Sequence, residues 1–362
     1  MIHGLHRLAG IIKCNSNDNP VKIRGFSSLI FLTLIFVSTL ISCATLSPVS
    51  SVREFPPKVT GINAVQPDWQ SWASGPLAVE TPGVFYFAGR IQSPRMEFRA
   101  LKIDLSASGL RIVVGAGLPS EAEAGVAGSA RSTWVSSFVR RNKLLAGINT
   151  NPFAPVSGRE GEERTIIGIA VSDGRLLSRP SSPYDALVFY TDGRAAILSQ
   201  AELLSQANTE LIYNAAGGFG IVLRQGELPQ RLLSGGELRS VTSAASPAAA
   251  MPDRNLPEQG LARQDLPRHP RSAAGLSADG RTLYLLVIDG RRPGSIGATE
   301  AEIGLLLKQL GAWEGLNFDG GGSSSLALRY PDGKVRPVNI PIHLHIPGNE
   351  RGVATCLGIG ID

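Results

Sequence analysis

Cysteine is scarce in this chain, which has three among its 362 residues. Cys14 and Cys43 lie close to the beginning, so Cys356 stands alone in the remaining part. That distribution excludes a disulfide bond within this part and a zinc site made of several cysteines. Aromatic residues make up 6% and charged residues 18%, whereas hydrophobic residues make up 43%. Such a composition is typical of a globular protein that buries a sizeable core.

A strong charge is also lacking once the first 42 residues are set aside. The whole chain has a formal net charge of +5. Residues 1–42 hold four of the 35 basic residues and one of the 30 acidic residues, so residues 43–362 carry +2. Because nucleic-acid-binding domains depend on clustered basic charge, the sequence predicts no nucleic-acid partner.

The apolar run Leu29–Ile41 is short for a helix that crosses a bilayer, which needs about 20 residues. It follows Lys22 and Arg24 and ends in Leu-Ile-Ser-Cys at Cys43. The ending resembles the lipobox of bacterial lipoproteins, in which the cysteine is lipidated and becomes the new N-terminus. The pattern therefore predicts a lipoprotein signal peptide over residues 1–42.

Lipidation at Cys43 would anchor the protein to a membrane. Residues 43–75 are rich in Pro and Ser and are predicted to form a tether. We expect the protein to be exported and lipid-anchored to the bacterial cell envelope, on the periplasmic or outer-surface side. An uncleaved N-terminal anchor is the alternative. Residues 1–20 are long and polar for a signal, so we hypothesise that translation starts near Val21.

Residues 76–362 alternate short apolar runs with turn signals and are predicted to form a single domain. Asp173-Gly174 and Asp192-Gly193 each separate two apolar runs, which is a strong hairpin signal. Residues 95–106 and 111–117 are predicted to form another hairpin. Since hairpins outnumber strand–helix–strand units, we predict an α+β fold: a mixed, largely antiparallel sheet with a few packed helices.

Three further segments have recognisable patterns. Residues 299–310 are predicted to be an amphipathic helix, with Thr299 and Glu302 as the two ends of a capping box and Gly311 as its stop. Residues 235–268 lack an apolar period and are predicted to be a mobile surface excursion. His343 and His345 alternate in a way that indicates a strand rather than a metal-binding pair.

The sequence Asn-Phe-Asp-Gly-Gly-Gly-Ser-Ser-Ser, which begins at Asn317, is the most unusual stretch. We call Asp319–Ser324 the glycine turn. It lacks the Lys-Ser/Thr of a P-loop, the spaced glycines of a dinucleotide-binding loop and the second glycine of a serine-nucleophile elbow. What remains is a series of bare amide and hydroxyl groups beside the carboxylate of Asp319, which suits a phosphate or sugar hydroxyls.

Several polar residues follow apolar strands, where a sheet presents side chains to a cleft. They are Asn149, Asn151, Asp289, Asn317 and Asp319. Each also has a structural interpretation, and Asp289-Gly290 is as consistent with a turn as with a site. Asp319 is the stronger candidate, because a turn alone does not require three consecutive glycines.

These residues resemble the phosphodiester glycosidase family, named for N-acetylglucosamine-1-phosphodiester α-N-acetylglucosaminidase. The resemblance extends from about Gly83 to Asp362. Its most specific motifs are Arg271 before a small-residue strand, Asp-Gly-Arg at 289–291, Gly297-x-Thr299 opening a helix with Glu302, and Asn317–Ser324. Weaker matches are Asn149–Asn151, Gly217-Gly218 and the strand at Arg351. Asn149-Thr150-Asn151 and Pro152 depart from the family's Asn-Gly-x-Phe-Phe, which leaves the substrate preference open.

The resemblance implies hydrolysis of a glycosyl-1-phosphodiester in which a GlcNAc-like sugar is α-linked to phosphate, in envelope or exopolysaccharide metabolism. Asp319 is implied as base or nucleophile, and Asp289 as second acid or sugar-hydroxyl ligand. Arg271 and Arg291 would hold the phosphate, and Asn149 and Asn151 the sugar. The remaining implied substrate-binding residues are Gly217, Gly218, Thr299, Glu302, Asn317, Gly320, Gly321, Gly322, Ser323, Ser324 and Arg351.

No cofactor is predicted, and a divalent metal stays open. Two other functions fit parts of the pattern. A lipoprotein that binds polysaccharide or assists envelope assembly could share the fold without turnover, since fold does not fix function. A serine hydrolase could use Ser323 or Ser324 as its nucleophile.

Overall fold

The computed structural model describes residues 83–116, 128–156, 159–205, 211–233 and 267–362. All of them belong to the compact unit of residues 52–362. The predicted signal peptide, the lipidation site Cys43 and the tether lie outside the described residues, as does the excursion at 235–268 except for its last two residues. Within the described ranges, no helix is long and apolar enough to cross a membrane.

Strands dominate the fold and form four sheets, in which all strand pairs of the described residues are antiparallel. The first sheet contains β1 (Val84–Ile91), β2 (Met96–Asp104), β13 (Gly220–Leu223), β14 (Arg271–Leu276), β15 (Thr282–Ile288) and β16 (Glu314–Asn317). The second contains β8 (Ala170–Ser172), β9 (Arg175–Ser178), β10 (Asp185–Tyr190), β11 (Ala195–Leu198) and β12 (Ile212–Gly218).

The third sheet contains β3 (Leu110–Ala116), β5 (Ala146–Asn149), β17 (Leu326–Arg329), β18 (Val335–Pro337) and β19 (Thr355–Ile361). The fourth contains β4 (Ser129–Arg131), β6 (Phe153–Ala154) and β7 (Glu163–Ile166). The helices of the described residues are α1 (Val135–Arg141), α2 (Gln200–Ser205), α3 (Gln230–Leu233) and α4 (Glu300–Leu310). The prediction of largely antiparallel strands with a few helices is confirmed, with strands more dominant than expected.

The strand order runs β1-β2-β15-β14-β16-β13 in the first sheet, β11-β10-β12-β8-β9 in the second, β18-β17-β5-β19-β3 in the third and β4-β7-β6 in the fourth. Side chains alternate between the two faces of a strand. Leu101 and Ile103 of β2 thus join a core shared with the second and third sheets, whereas Phe98 and Ala100 face a second core formed with α4. The six-stranded sheet is therefore covered on both faces.

Helix α4 forms as its sequence predicts. Thr299 Oγ1 accepts the Glu302 N–H at 3.3 Å, and Glu302 Oε2 accepts the Thr299 N–H at 2.9 Å. Gly311 ends the helix at φ 109°, a left-handed conformation that glycine adopts without a steric penalty. The apolar stripe Ile303–Leu310 packs on the six-stranded sheet.

Two of the three predicted hairpins are confirmed. The pairs β8–β9 and β10–β11 are confirmed, and their turns lie at Asp173-Gly174 and Asp192-Gly193. The hairpin predicted from residues 95–106 and 111–117 is wrong, because β2 pairs with β1 and β15 while β3 pairs with β19. The two runs are close in sequence, yet the connection between them crosses from one sheet to another.

The chain changes sheets at Phe219, so that β12 and β13 belong to different sheets. One other local prediction is also corrected. His343–His345 forms a 3-10 turn rather than a strand, with Leu344 at φ 55°. A non-glycine residue in this region costs free energy that the surrounding contacts must offset.

The capping box predicts a measurable loss of stability when its hydroxyl is removed. We expect Thr299→Ala to lower the free energy of unfolding by about 1 kcal/mol, since the Glu302 N–H loses its acceptor. Thr299→Ser keeps the hydroxyl and should stay close to the wild type. Urea unfolding of the three proteins measures both effects. Equal stability of the Ala and Ser variants would contradict the assignment.

Candidate active site

The glycine turn lies where the chain passes from the first sheet to the third. Strand β16 ends at Asn317 within the first sheet, and β17 begins at Leu326 within the third. Between them the Asp319 N–H donates to Thr150 O at 2.9 Å, and Gly321–Ser323 forms a 3-10 turn. Main-chain bonds to a neighbouring loop therefore fix the start of the turn.

Two of the three glycines leave room for arginine side chains. A Cβ added at Gly322 would stand 2.5 Å from Arg351 Nη2, and one added at Gly321 would stand 3.0 Å from Arg291 Nη2. Gly321 also has φ 63°, which strains other residues. Both guanidinium groups thus lie directly against the main chain of the turn.

The third glycine lies beside a third arginine, against its Cδ rather than its guanidinium. A Cβ at Gly320 would stand 2.9 Å from Pro270 O and 3.5 Å from the Cδ of Arg271. Arg271 opens β14 and donates from Nε to Ala298 O at 3.0 Å. Each glycine of the turn therefore faces one arginine. We call these three residues, Arg271, Arg291 and Arg351, the arginine cluster.

Asp319 brings the carboxylate to this cluster. The residue is partly buried, but its Oδ2 atom is inaccessible to solvent and has no partner among the described residues. Burial raises the pKa of Asp319 to about 6, whereas the Ser323 hydroxyl, the charge of Arg351 and the Gly320 N–H lower it. Asp319 is therefore a carboxylate that changes protonation state near neutral pH.

Arg351 is held from two sides. Its Nε donates to His343 Nδ1 at 3.1 Å, and its Nη1 donates to Ser323 Oγ at 3.2 Å. Burial lowers the pKa of Arg351, the nearby charge of Asp319 raises it, and the charges of Arg291 and Arg164 lower it further. Ser323 contacts both Arg351 and Asp319, and so connects the carboxylate to the arginine cluster.

Arg291 differs from its two neighbours. It has φ 57°, a strained conformation for a non-glycine residue, and it is exposed. No acceptor from the described part of the chain reaches its guanidinium. Burial of part of the side chain and the charge of Arg271 lower its pKa. Like charges placed this close favour the binding of an anion.

Several residues of the site escaped sequence reasoning. His343 was assigned to a strand. Sequence reasoning gave His269 no role, yet burial and the charges of Arg271 and Arg291 lower the pKa of His269 to about 4. Burial and the charge of Asp319 raise the pKa of Tyr184, whose ring lies 6.0 Å from that of Phe219. Neither Tyr184 nor His343 lies in a motif that could have identified it.

Asp289 does not share the setting of Asp319. It is 1% exposed, its Oδ2 accepts Arg292 Nη2 at 2.9 Å, and its Oδ1 accepts the Ile340 N–H at 2.9 Å. Burial raises its pKa, while the Ile340 N–H and the charge of Arg292 lower it. Both carboxylate oxygens are therefore occupied within the protein, and Asp289 fixes the segment that follows β18.

The two asparagines predicted to hold sugar are framework residues in this structure. Both N–H groups of Asn151 are used, by Ile167 O at 3.0 Å and Ile169 O at 2.9 Å. Asn149 is fully buried, and its Nδ2 donates to Asp319 O at 2.6 Å. Asn149 therefore positions the main chain at Asp319, and both side-chain donors of Asn151 are used within the protein.

Gly217 and Gly218 allow close approaches within the framework. The Gly217 N–H donates to Asn151 Oδ1 at 3.1 Å, and a Cβ at Gly218 would stand 2.6 Å from Asn317 O. Asn317 is buried and donates from Nδ2 to Glu300 Oε1 at 3.4 Å. These glycines thus pack strands rather than bind substrate.

Thr299 and Glu302 are also used within the protein. Their polar atoms form the capping box of α4, and Glu302 pairs with Arg268 at 2.7 Å. Ser324 Oγ is buried and finds no partner in the described residues, so no base activates it as the serine-hydrolase alternative requires. Within the same ranges, no three His, Cys, Asp or Glu side chains form a group that could hold a metal ion.

A sequence model of the phosphodiester glycosidase family matches residues 142–360, which is more than half of the chain. The chain belongs to the phosphodiester glycosidase family. Its fold is similar to that of the zebrafish N-acetylglucosamine-1-phosphodiester alpha-N-acetylglucosaminidase catalytic domain auto-inhibited by pro-peptide. The TM-score is 0.53 at 18% identity, covering 79% of this chain and 86% of the zebrafish chain.

Two bacterial structures are more distant. A protein of Burkholderia pseudomallei described as exported has a TM-score of 0.45 at 19% identity, with 74% of each chain covered. A hypothetical protein from Synechocystis has a TM-score of 0.46 at 14% identity, covering 77% of this chain and 62% of the other. No curated protein sequence matches the chain.

The raised pKa of Asp319 predicts a specific dependence of stability on pH. Between about pH 4 and pH 6 the folded protein holds a proton on Asp319 that the unfolded chain has released, so wild-type stability falls as pH rises. A shift from 3.8 to about 6 corresponds to about 3 kcal/mol. Asp319→Asn should remove this contribution and be the more stable protein at pH 7.

Urea unfolding of wild type and Asp319→Asn from pH 4 to pH 7.5 measures the difference in free energy, in which the other titrating groups cancel. Asp332→Asn, which removes an exposed carboxylate paired with Arg336, is the control for loss of a charge at the surface. A difference for Asp319→Asn that does not change with pH would show that its pKa is not raised.

Proposed function

We propose that this protein hydrolyses a glycosyl-1-phosphodiester, in which an α-linked, GlcNAc-like sugar is joined through phosphate to a second alcohol. The observation that carries the proposal is the arginine cluster packed against the three glycines beside the carboxylate of Asp319. The family and the zebrafish relative support a phosphate-linked sugar as substrate. The identity of the sugar as GlcNAc-like is the more specific part of the proposal.

The charges of the site suit the change that the reaction makes. A phosphodiester carries one negative charge, and cleavage of the bond between the anomeric carbon and oxygen gives a phosphomonoester whose second pKa lies near 6. Charge therefore develops on the departing phosphate as the bond breaks. The guanidinium of Arg351, which acts on Asp319, and that of Arg291, which lies against Gly321, are placed to stabilise that charge.

Asp319 is the carboxylate that acts on the sugar in this proposal. As base it would take a proton from the attacking water, whose oxygen bonds to the anomeric carbon while the phosphate leaves with the electron pair of the broken bond. As nucleophile it would form a glycosyl ester that water then cleaves. Both routes need one free carboxylate, and a leaving phosphate needs little protonation. The occupied carboxylate of Asp289 is then a structural group.

We also propose a setting for the reaction, which rests on the signal-like pattern of residues 1–42. The lipobox-like ending at Cys43 supports an exported, lipid-anchored protein that meets its substrate in the bacterial envelope. Sugar-phosphate links of exopolysaccharide or envelope polymers are the substrates we propose. A non-catalytic polysaccharide-binding or envelope-assembly role remains the competing function, and hydrolysis is the measurement that separates the two.

The test uses the purified full-length protein and the methyl phosphodiester of α-N-acetylglucosamine 1-phosphate in water enriched in oxygen-18. We expect release of N-acetylglucosamine and methyl phosphate, with the label in the sugar, because the bond at the anomeric carbon breaks. Label in the phosphate would contradict glycosidase chemistry. Binding without release would support the non-catalytic function.

Asp319→Asn should lower kcat by at least about 1,000-fold, since the amide cannot accept a proton or attack the sugar. Asp332→Asn serves again as the surface control and should keep wild-type kcat. The two variants are compared by release of free sugar under saturating substrate. A kcat for Asp319→Asn within a few fold of wild type would exclude the carboxylate from the reaction.

The contact between Gly322 and Arg351 predicts that one added methyl group lowers kcat/KM. Gly322→Ala should reduce kcat/KM by about 100-fold, because the new Cβ displaces the Arg351 guanidinium. Stability should change little, since the side-chain end can move away. Gly294→Ala is the matched control, as its Cβ would meet Glu97 Oε1 at an ordinary 3.6 Å. Equal kcat/KM for both variants would contradict the packing argument.

A further inference from the structure

His343 lies next to the glycine turn in a segment that is itself held firmly. The His343 N–H donates to Asn349 O at 3.0 Å, and Asn349 Nδ2 donates to His343 O at 3.2 Å. The 3-10 turn His343–His345 packs against the turn Gly321–Ser323. His343 is 6% exposed, whereas His345 is exposed. The local main chain therefore directs one histidine inward and leaves its neighbour in solvent.

The buried ring accepts a hydrogen bond from an arginine. Arg351 Nε donates to His343 Nδ1 at 3.1 Å, which requires a neutral ring with its proton on Nε2. Burial lowers the pKa of His343, and the charge of Arg351 lowers it further, so the neutral form is favoured. The charged groups around the pair are Asp319, Arg291 and Arg164, all on the Arg351 side.

This bond has a geometric consequence for Arg351. A guanidinium group is planar, so contacts at two of its nitrogens fix its orientation. His343 holds Nε and Ser323 holds Nη1, while the face of the group lies on Gly322. The described residues place no acceptor at Nη2. The two bonds fix the guanidinium group and leave its Nη2 edge for a ligand. A side chain that is already ordered loses less conformational entropy when it binds.

We propose that His343 is a positioning residue for anion binding: its neutral Nδ1 orients Arg351 so that the free edge of the guanidinium meets the phosphate of the ligand. The inference rests on the proposed function for the identity of that phosphate as part of a sugar phosphodiester. The orientation of Arg351 itself depends only on the contacts of His343, Ser323 and Gly322. Binding of a simple phosphate therefore tests it separately from turnover.

The experiment measures the Kd of the full-length protein for inorganic phosphate by calorimetry at pH 7.5. His343→Phe keeps a ring but has no acceptor, and it should raise Kd about 10-fold, as expected for one lost charge-assisted hydrogen bond of about 1.4 kcal/mol. His343→Asn places Oδ1 where Nδ1 stood and should stay within about 3-fold of wild type. His345→Phe, in the same turn but exposed, is the matched control and should leave Kd unchanged.

Three outcomes would overturn the inference: no binding of phosphate by the wild type, an unchanged Kd in His343→Phe, or a Kd in His343→Asn as high as in His343→Phe. The last would mean that the ring only fills space. If His343→Phe does not fold, His343→Leu replaces it in the comparison with His343→Asn. If phosphate binding by the variants changes as expected but the wild type does not cleave the methyl phosphodiester, the proposed function is wrong and the inference on His343 stands.

Discussion

The close approach of the Arg291 and Arg351 guanidinium groups to one stretch of main chain is the constraint on which this site depends. A Cβ at Gly321 or Gly322 would crowd one of these two groups, so they can approach only where the main chain has no side chain. The glycine turn supplies that surface, with one glycine against each member of the arginine cluster. Because the turn also joins the first sheet to the third, its path is set by strands that are buried on both sides. The folded sheets therefore bring the arginines to the site from separate parts of the chain.

Holding like charges together without a ligand costs free energy, and the surrounding acceptors reduce that cost without removing it. Ala298 O accepts Arg271, Ser323 and His343 accept Arg351, and the opposite charge of Asp319 acts on Arg351. The carboxylate is itself disfavoured in its charged form by burial. In the proposed function this site is ordered before its anion binds, and such preorganisation lowers stability.

The sequence predicted best those features whose cause is local. The capping box of α4 and the hairpins at Asp-Gly turns depend on residues within one or two turns of each other, and they formed as expected. The glycine turn stays a predicted site, which the sequence indicates because three consecutive glycines have no purely local explanation. The predicted pairing of β2 with β3 was wrong, because the partner of a strand is decided by packing between segments that lie far apart in the chain. His343 was missed because its inward direction depends on the left-handed residues Leu344 and His345, which alternation of polar and apolar residues does not reveal.

The errors at strand ends share one physical reason. A polar side chain after a buried strand can point to a cleft, or it can tie together the sheets that meet there, and both uses produce the same sequence pattern. Asn149 illustrates the second use: it bonds to Asp319 O and the Ser325 N–H in the connection between β16 and β17, and to Ser272 in β14. A carboxylate with a raised pKa must be kept away from water and from stray partners, and this requires neighbours whose hydrogen bonds are already complete. Residues that look like ligands in the sequence can therefore belong to the frame that keeps a single catalytic group available.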